Sequence, residues 1–293
     1  MYINPTSWYQ LVTLGQGLIQ INESNHCSFY VLQDGGSPHP MFIDSGLGLS
    51  AGAQRELFSR LNIGEYSVLG THLHSDHVGL SANAREFWAG KIEWDQYKAR
   101  DGFPLPYYLK QFGNKSNLPS DRSAQSKRSL LKPSKFVDDG EVVEFGPWQL
   151  EVVHTPGHTS GHLSFFDTAR KVGFLGDMIY DGVLYLHLKD SSFRSYVASL
   201  VKLIEYLRAN DLYSWTLLPC HNSIPLNPAY LLRVRDVLSR IQQGDLDPVG
   251  QTKGDGVLCE SFLFVYGGIK IFIKKKDVPG IKDKANLPIV IGV

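Results

Sequence analysis

Thr71-His72-Leu73-His74-Ser75-Asp76-His77-Val78-Gly79 sets three histidines and an aspartate within six residues. It follows Tyr66-Ser67-Val68-Leu69, an apolar segment with the character of a buried strand, so these side chains occupy a loop at a strand end. Two imidazoles at i and i+2 in an extended loop can converge on one cation. Asp76 and His77, one step further on, can turn toward a second cation beside it.

Three later segments repeat the layout of a strand end followed by a ligand-type residue. In His154-Thr155-Pro156-Gly157-His158-Thr159-Ser160-Gly161-His162, His158 sits in a glycine-containing bend, the place best suited to turning a side chain inward. His154 and His162 flank it on strand ends and read as packing or supporting residues. Phe174-Leu175-Gly176-Asp177 delivers a carboxylate whose two oxygens can bridge two cations, and Leu217-Leu218-Pro219-Cys220-His221 ends on another imidazole.

The order of these segments resembles the metallo-β-lactamase superfamily over about residues 15–221. The resemblance implies an α/β, four-layer αββα sandwich holding a dinuclear metal site. Carried over position by position, it implies that His72, His74 and His158 hold one divalent ion. Asp76, His77 and His221 hold a second, and Asp177 bridges the two. Asp44, in Phe42-Ile43-Asp44-Ser45-Gly46, matches the family's early aspartate, which supports the metal loop without binding metal. Histidine at position 74 favours zinc and hydrolysis over diiron electron transfer. Within the superfamily, Leu14-Gly15-Gln16-Gly17-Leu18, Ile43-Asp44-Ser45-Gly46-Leu47-Gly48-Leu49 and Gly176-Asp177-Met178-Ile179-Tyr180-Asp181-Gly182 are similar to its acyl-coenzyme A thioesterases. Cys220 departs from the usual glycine before the last histidine and is expected to pack.

Around these motifs the chain alternates short strands and helices, which indicates strands backed by helices. Strands are expected at residues 17–21, 28–33, 41–43, 66–69, 141–145, 149–154, 162–166, 171–175 and 216–218. Helices are expected at 54–61, 81–88, 192–209 and 227–243; in the third of these, Val197, Leu200, Val201, Ile204 and Leu207 follow helical spacing. A hairpin over 257–273 turns at Gly267-Gly268, and Lys274-Lys275-Lys276 reads as a solvated guard on an edge strand. A single domain over 1–293 is expected, with a lid or cap at about 92–135. That segment has six aromatics and nine Lys/Arg against four Asp/Glu, a local excess of +5.

The chain has 293 residues, 43% hydrophobic and 20% charged, with zero formal net charge. That is enough to bury a large core, and it gives no electrostatic reason to expect a nucleic-acid partner. No stretch approaches the roughly 20 apolar residues of a membrane span. Three scattered cysteines do not make a disulfide framework. With no signal-peptide pattern in residues 1–20, a cytoplasmic enzyme acting on a small molecule is expected. Two divalent ions, zinc favoured, would bring a bridging water's pKa toward 7 and present hydroxide to an acyl carbonyl, with Asp76 orienting the leaving group. Tyr180, three residues beyond Asp177, stands either as an oxyanion donor, as in the related lactonases, or as a core aromatic. A thioester such as acyl-coenzyme A is the expected substrate, with Lys127 and Arg128 in the cap as candidate phosphate contacts. The alternatives are a lactonase or another small-ester hydrolase, then a β-lactamase, then a metal-binding protein without turnover.

Overall fold

Every residue of strand β3 (Cys27–Leu32) is buried, with large apolar side chains on both faces. Successive strand residues point to opposite faces, so this strand needs a covering layer on each side. A computed structural model, which describes residues 8–23, 27–33, 39–99, 132–222, 225–255, 258–278 and 287–290, shows what those layers are.

One sheet runs in sequence order through β1 (Tyr9–Gly15), β2 (Leu18–Glu23), β3, β4 (Met41–Ile43), β5 (Ser67–Leu69), β6 (Glu86–Gly90) and β7 (Lys135–Val137). It is antiparallel as far as β4 and parallel from there to β7. The second sheet contains β8 (Val142–Phe145), β9 (Trp148–His154), β10 (Leu163–Asp167), β11 (Val172–Gly176) and β13 (Thr216–Pro219), in the order β13-β11-β10-β9-β8. A smaller third sheet contains β12 (Val183–Leu186), β14 (Gly250–Thr252), β15 (Ser261–Tyr266) and β16 (Ile269–Lys274), in the order β12-β16-β15-β14.

Side-chain alternation stacks these into layers. Tyr30, Leu32, Met41 and Ile43 face inward and meet Trp148, Leu150, Phe165 and Phe174 of the second sheet. Their neighbours Phe29, Val31 and Phe42 face outward, against Leu57 of α1 (Ala51–Leu61) and Trp94 of α2 (Lys91–Ala99). On the far side, Phe166, Leu175 and Leu217 pack under α3 (Phe193–Ala209), α4 (Ala229–Gln243) and Phe264 and Ile271 of the third sheet. Helices, sheet, sheet, helices is the expected αββα order. Ser192 caps α3 by accepting from Ser195 N at 3.2 Å. Among the described residues, no helix is long and apolar enough to cross a membrane.

Three expectations are corrected or limited. Residues 81–88 are not a helix: a 3₁₀ turn at Ser81–Asn83 leads into β6. There Phe87 and Ala89 face α2 while Trp88 turns inward, and pairing on both sides, to β5 and β7, overrides local helical preference. The lysine run does not guard an edge, because β16 lies between β12 and β15. Lys274 is buried, donating to Ser191 O and standing 3.6 Å from Asp277 Oδ2. The first part of the expected cap is α2. Residues 100–131, Lys127 and Arg128 among them, lie outside the described residues.

Candidate metal centre

Strand ends bring the seven expected ligand residues together. β5 runs into the loop bearing His72, His74, Asp76 and His77, the bend between β9 and β10 carries His158, and β11 and β13 end at Asp177 and His221. Close approach sets the backbone here. Gly176 has φ +50°, and a Cβ on it would stand 2.6 Å from both His162 Nε2 and Thr71 Oγ1, so no side chain fits.

Two groups of donor atoms result. His72 Nε2 and His158 Nε2 stand 2.9 and 3.1 Å from His74 Nδ1, and Asp177 Oδ2 is 3.3 Å from His158 Nε2 and 4.0 Å from His72 Nε2. Tetrahedral zinc with nitrogen ligands at about 2.0–2.1 Å places its donors about 3.3 Å apart, so this spacing suits one such ion. In the second group His77 Nε2 and His221 Nε2 lie 3.8 and 3.6 Å from Asp76 oxygens. The same two nitrogens lie 3.4 and 3.1 Å from Asp177 Oδ1. Asp177 therefore turns one oxygen to each group. Of the seven, His221 is the most open, with 16% of its side chain exposed against 6% for Asp177.

Hydrogen bonds outside the centre decide which nitrogen carries the proton. Asp44 accepts from Thr71 N and Thr71 Oγ1, both at 2.8 Å, and stands 2.9 Å from His77 Nδ1. Thr71 Oγ1, its proton on Asp44, accepts from His72 Nδ1 at 3.1 Å, and His158 Nδ1 donates to Tyr185 O at 3.3 Å. On His72 and His158 the bond leaves an Nε2 lone pair aimed into the centre, and on His77 it leaves Nε2 facing the centre, carrying a proton that a metal ion would displace. The lone pairs of His72 and His158 both face His74 Nδ1, whose single proton can satisfy only one of them. His77 Nε2 and Asp177 Oδ1 are buried and make no hydrogen bond among the described residues. Lone-pair donors left over in this way fit a cation, so the residues present suit divalent metal.

Titration shows the same demand for positive charge. Burial holds His72 well below its ordinary pKa and His74 at about 3, with neighbouring imidazoles adding to the effect. Burial also pulls down on His77 and His221, but Asp177 and Asp76 overcome it, keeping His77 well above its ordinary value and His221 at about 8. Burial pushes Asp177 upward, yet His221, His77 and His158 hold it well below the usual carboxylate range. One group is thus neutral and ready for metal at pH 7, while the other carries protons where a cation is accommodated.

Tyr180 does not offer a free proton to the centre. Its ring stands against His221, centroids 5.1 Å apart, but its hydroxyl donates to Val183 O at 2.8 Å, and a phenol has one proton. This placement matches the core-aromatic alternative. His162 binds no donor group but accepts from Asp177 N at 3.2 Å through Nε2, which puts its own proton on Nδ1, toward Thr155 Oγ1 at 2.9 Å. His154 lies farther out, with Nε2 3.0 Å from Ser160 O. Cys220 is buried, and its thiol donates to Asp44 Oδ2 at 3.0 Å. Thr71, Thr155 and Glu93 were not singled out in the sequence. Thr71 reaches Asp44, and Glu93 reaches Leu73, Thr159 and Gly161, all 20 or more residues away, whereas Thr155 meets His162 and Ser164 across the bend between β9 and β10; only its place before His72 could have drawn attention to Thr71.

The metallo-β-lactamase superfamily model matches residues 26–210. The acyl-coenzyme A thioesterase MBLAC2 of Bos taurus is 30% identical over 214 residues, covering 68% of this chain and 76% of the relative. The hydroxyacylglutathione hydrolase GloC of Haemophilus influenzae is 31% identical over 116 residues, covering 39% of this chain and 50% of that protein. A β-lactamase domain protein from Burkholderia ambifaria aligns with TM-score 0.61 at 16% identity, over 80% of this chain and 78% of that one, a likeness of fold. With the family model spanning more than half its length and a relative at that identity, the chain belongs to the metallo-β-lactamase superfamily, among the members named as hydrolases.

Proposed function

We propose that the protein is a dinuclear metal-dependent hydrolase of acyl thioesters, with acyl-coenzyme A the leading substrate. The observation that carries this is Asp177, whose two oxygens face two separate groups of donor atoms. His72, His74, His158 and Asp177 would hold one ion, and Asp76, His77, His221 and Asp177 the other. Divalent ions there, zinc favoured by the imidazole-rich set, would supply a Lewis acid for the acyl carbonyl and a water acidified to near neutrality.

The chain's own residues account for the rest. Asp44, Thr71 and Tyr185 O hold the rings of His72, His77 and His158 with Nε2 toward the centre, so these three need no reorientation at the moment of reaction. Asp76 stands beside His221 on the more open side of the centre and would orient the departing group. The committed proton of Tyr180 suits a thioester: a thiol's pKa of about 8.5 lets thiolate leave without a proton donor, whereas an alkoxide requires one. The two relatives' names, acyl-coenzyme A thioesterase and hydroxyacylglutathione hydrolase, share the thioester bond. The +5 segment with Lys127 and Arg128 supports the phosphate-bearing thiol.

The test is a substrate panel with metal analysis. Zinc-loaded protein should hydrolyse acyl-coenzyme A faster than acylglutathione, lactones or a cephalosporin, lose activity to a chelator, and bind two ions per chain. A reproducible limit of one ion overturns the dinuclear assignment, and lactone turnover exceeding that of every thioester overturns the substrate assignment.

A further inference from the structure

β6 ends at Gly90 and α2 begins at Lys91, which puts Glu93 in the first turn of the helix. A carboxylate at a helix N-terminus ordinarily caps its own helix. Glu93 is buried and turns elsewhere. Its Oε1 accepts from Leu73 N at 3.3 Å, and its Oε2 accepts from Thr159 Oγ1 at 2.8 Å and Gly161 N at 3.1 Å. Leu73 lies between His72 and His74, and Thr159 comes directly after His158. The two oxygens of one carboxylate therefore tie together the loops carrying all three imidazoles of the first donor group. The contact is tight: a Cβ on Gly161 would fall 2.4 Å from Glu93 N, so only glycine lets the start of α2 press against the bend.

We infer that Glu93 is a positioning residue for the His72, His74 and His158 half of the centre. This rests on the metal-centre function proposed above. Glu93 belongs to none of the converging donor groups, so it acts through the loops. A carboxylate suits this position because the three described groups bonded to it all donate. Glutamine has the same shape but would turn its amide nitrogen against either Leu73 N–H or the Thr159 and Gly161 donors, releasing one loop. Glu93 accepts from the loops of the first half, and none of the described bonds to it comes from His77, His221 or Asp76, so the effect falls on one half.

The experiment titrates chelator-stripped, full-length protein with Zn²⁺ against a chromophoric chelator. His158→Ala and His221→Ala identify which binding step belongs to which half. In Glu93→Gln the step that His158→Ala abolishes should weaken by about 10- to 100-fold, while the step that His221→Ala abolishes stays unchanged. Equal weakening of both steps would mean general loosening and would overturn the inference, as would no change in either or a loss confined to the His221 step. Thr159→Val removes one of the three donors and should weaken the same step by a smaller factor. It carries the test if Glu93→Gln does not fold, and an unweakened His158 step in that variant is then the refuting result. A wild-type titration with a single step would refute the dinuclear assignment alone, because the effect of Glu93→Gln on the His158-dependent step remains measurable.

Discussion

Replacing Asp177 by asparagine preserves the size of the side chain and removes its charge. Three influences compete at His221. Burial is the strongest and lowers its pKa, Asp177 is the strongest of those that raise it, and Asp76 raises it by less than burial lowers it. Without the Asp177 charge, burial prevails and His221 should fall from about 8 to below its ordinary 6.5. At pH 7 the protonated fraction would go from about nine-tenths to less than about a quarter. His77, held up first by the same carboxylate, should shift in the same direction. Metal retention should suffer more, since one donor group meets an amide nitrogen that cannot ligate, the other keeps only a neutral oxygen, and two cations would face each other without a shared anion. The assays are a proton NMR titration of the imidazole Cε1–H signals in chelator-treated protein and elemental analysis after zinc loading. Zinc content should fall from two ions to one or fewer, and thioesterase activity should be lost. A His221 that still titrates near 8, or turnover near wild type with full metal, would refute the assignment of Asp177 as the group shared between the halves.

How much of the fold and the metal centre was visible in the sequence depends on how local each determinant is. Near-continuous apolar runs made β3 and β10 readable as strands buried along their length, and alternation made β9 readable, with Trp148, Leu150 and Val152 buried and Gln149 exposed. Helical spacing of Val197, Leu200, Val201, Ile204 and Leu207 located α3; Leu200, Ile204 and Leu207 are buried there, Val201 is exposed, and Leu203 completes the buried face. Such local patterns failed for residues 81–88, whose structure is decided by β5 and β7, and for β12, which pairs in parallel with β16 far along the chain. The donor residues were legible for a chemical reason: histidine and aspartate at successive strand ends have few other uses. What orients them was not. Glu93 reaches loops 20 and 66 residues away, and Thr71 was passed over because nothing local shows that its hydroxyl relays between Asp44 and His72. Tyr180 was an even choice in the sequence, because spacing alone cannot tell which acceptor a phenol meets.

Because the hydroxyl of Tyr180 is bonded to Val183 O, Tyr180→Phe should change kcat less than about threefold while lowering stability by about 1 kcal/mol; a hundredfold loss of kcat with intact folding would restore the oxyanion role. If Lys127 and Arg128 bind the phosphates of coenzyme A, KM for acyl-coenzyme A should rise with ionic strength, and with both changed to alanine, while kcat holds. Salt-independent kinetics with an unaltered KM would make a small neutral ester or lactone the leading substrate. Acid should expose His187, which is buried between the rings of Tyr185 and Phe272 at 5.4 and 4.9 Å and makes no hydrogen bond through Nδ1 among the described residues. Burial, then the charge of His158, lowers its pKa to about 4, partly opposed by Asp255. The unfolded chain takes up this proton near 6.5 and the folded one only near 4, so folding weakens as pH falls between those values and is unaffected above them. At pH 5 the loss relative to pH 8 is about 2 kcal/mol, or about 4–8 °C in Tm. His187→Phe fits between the same rings and has nothing to titrate, so chelator-treated variant protein should lose that much less stability than wild type over the same pH change. Parallel melting curves for the two proteins from pH 8 to 5 would show that His187 is not held neutral by the fold.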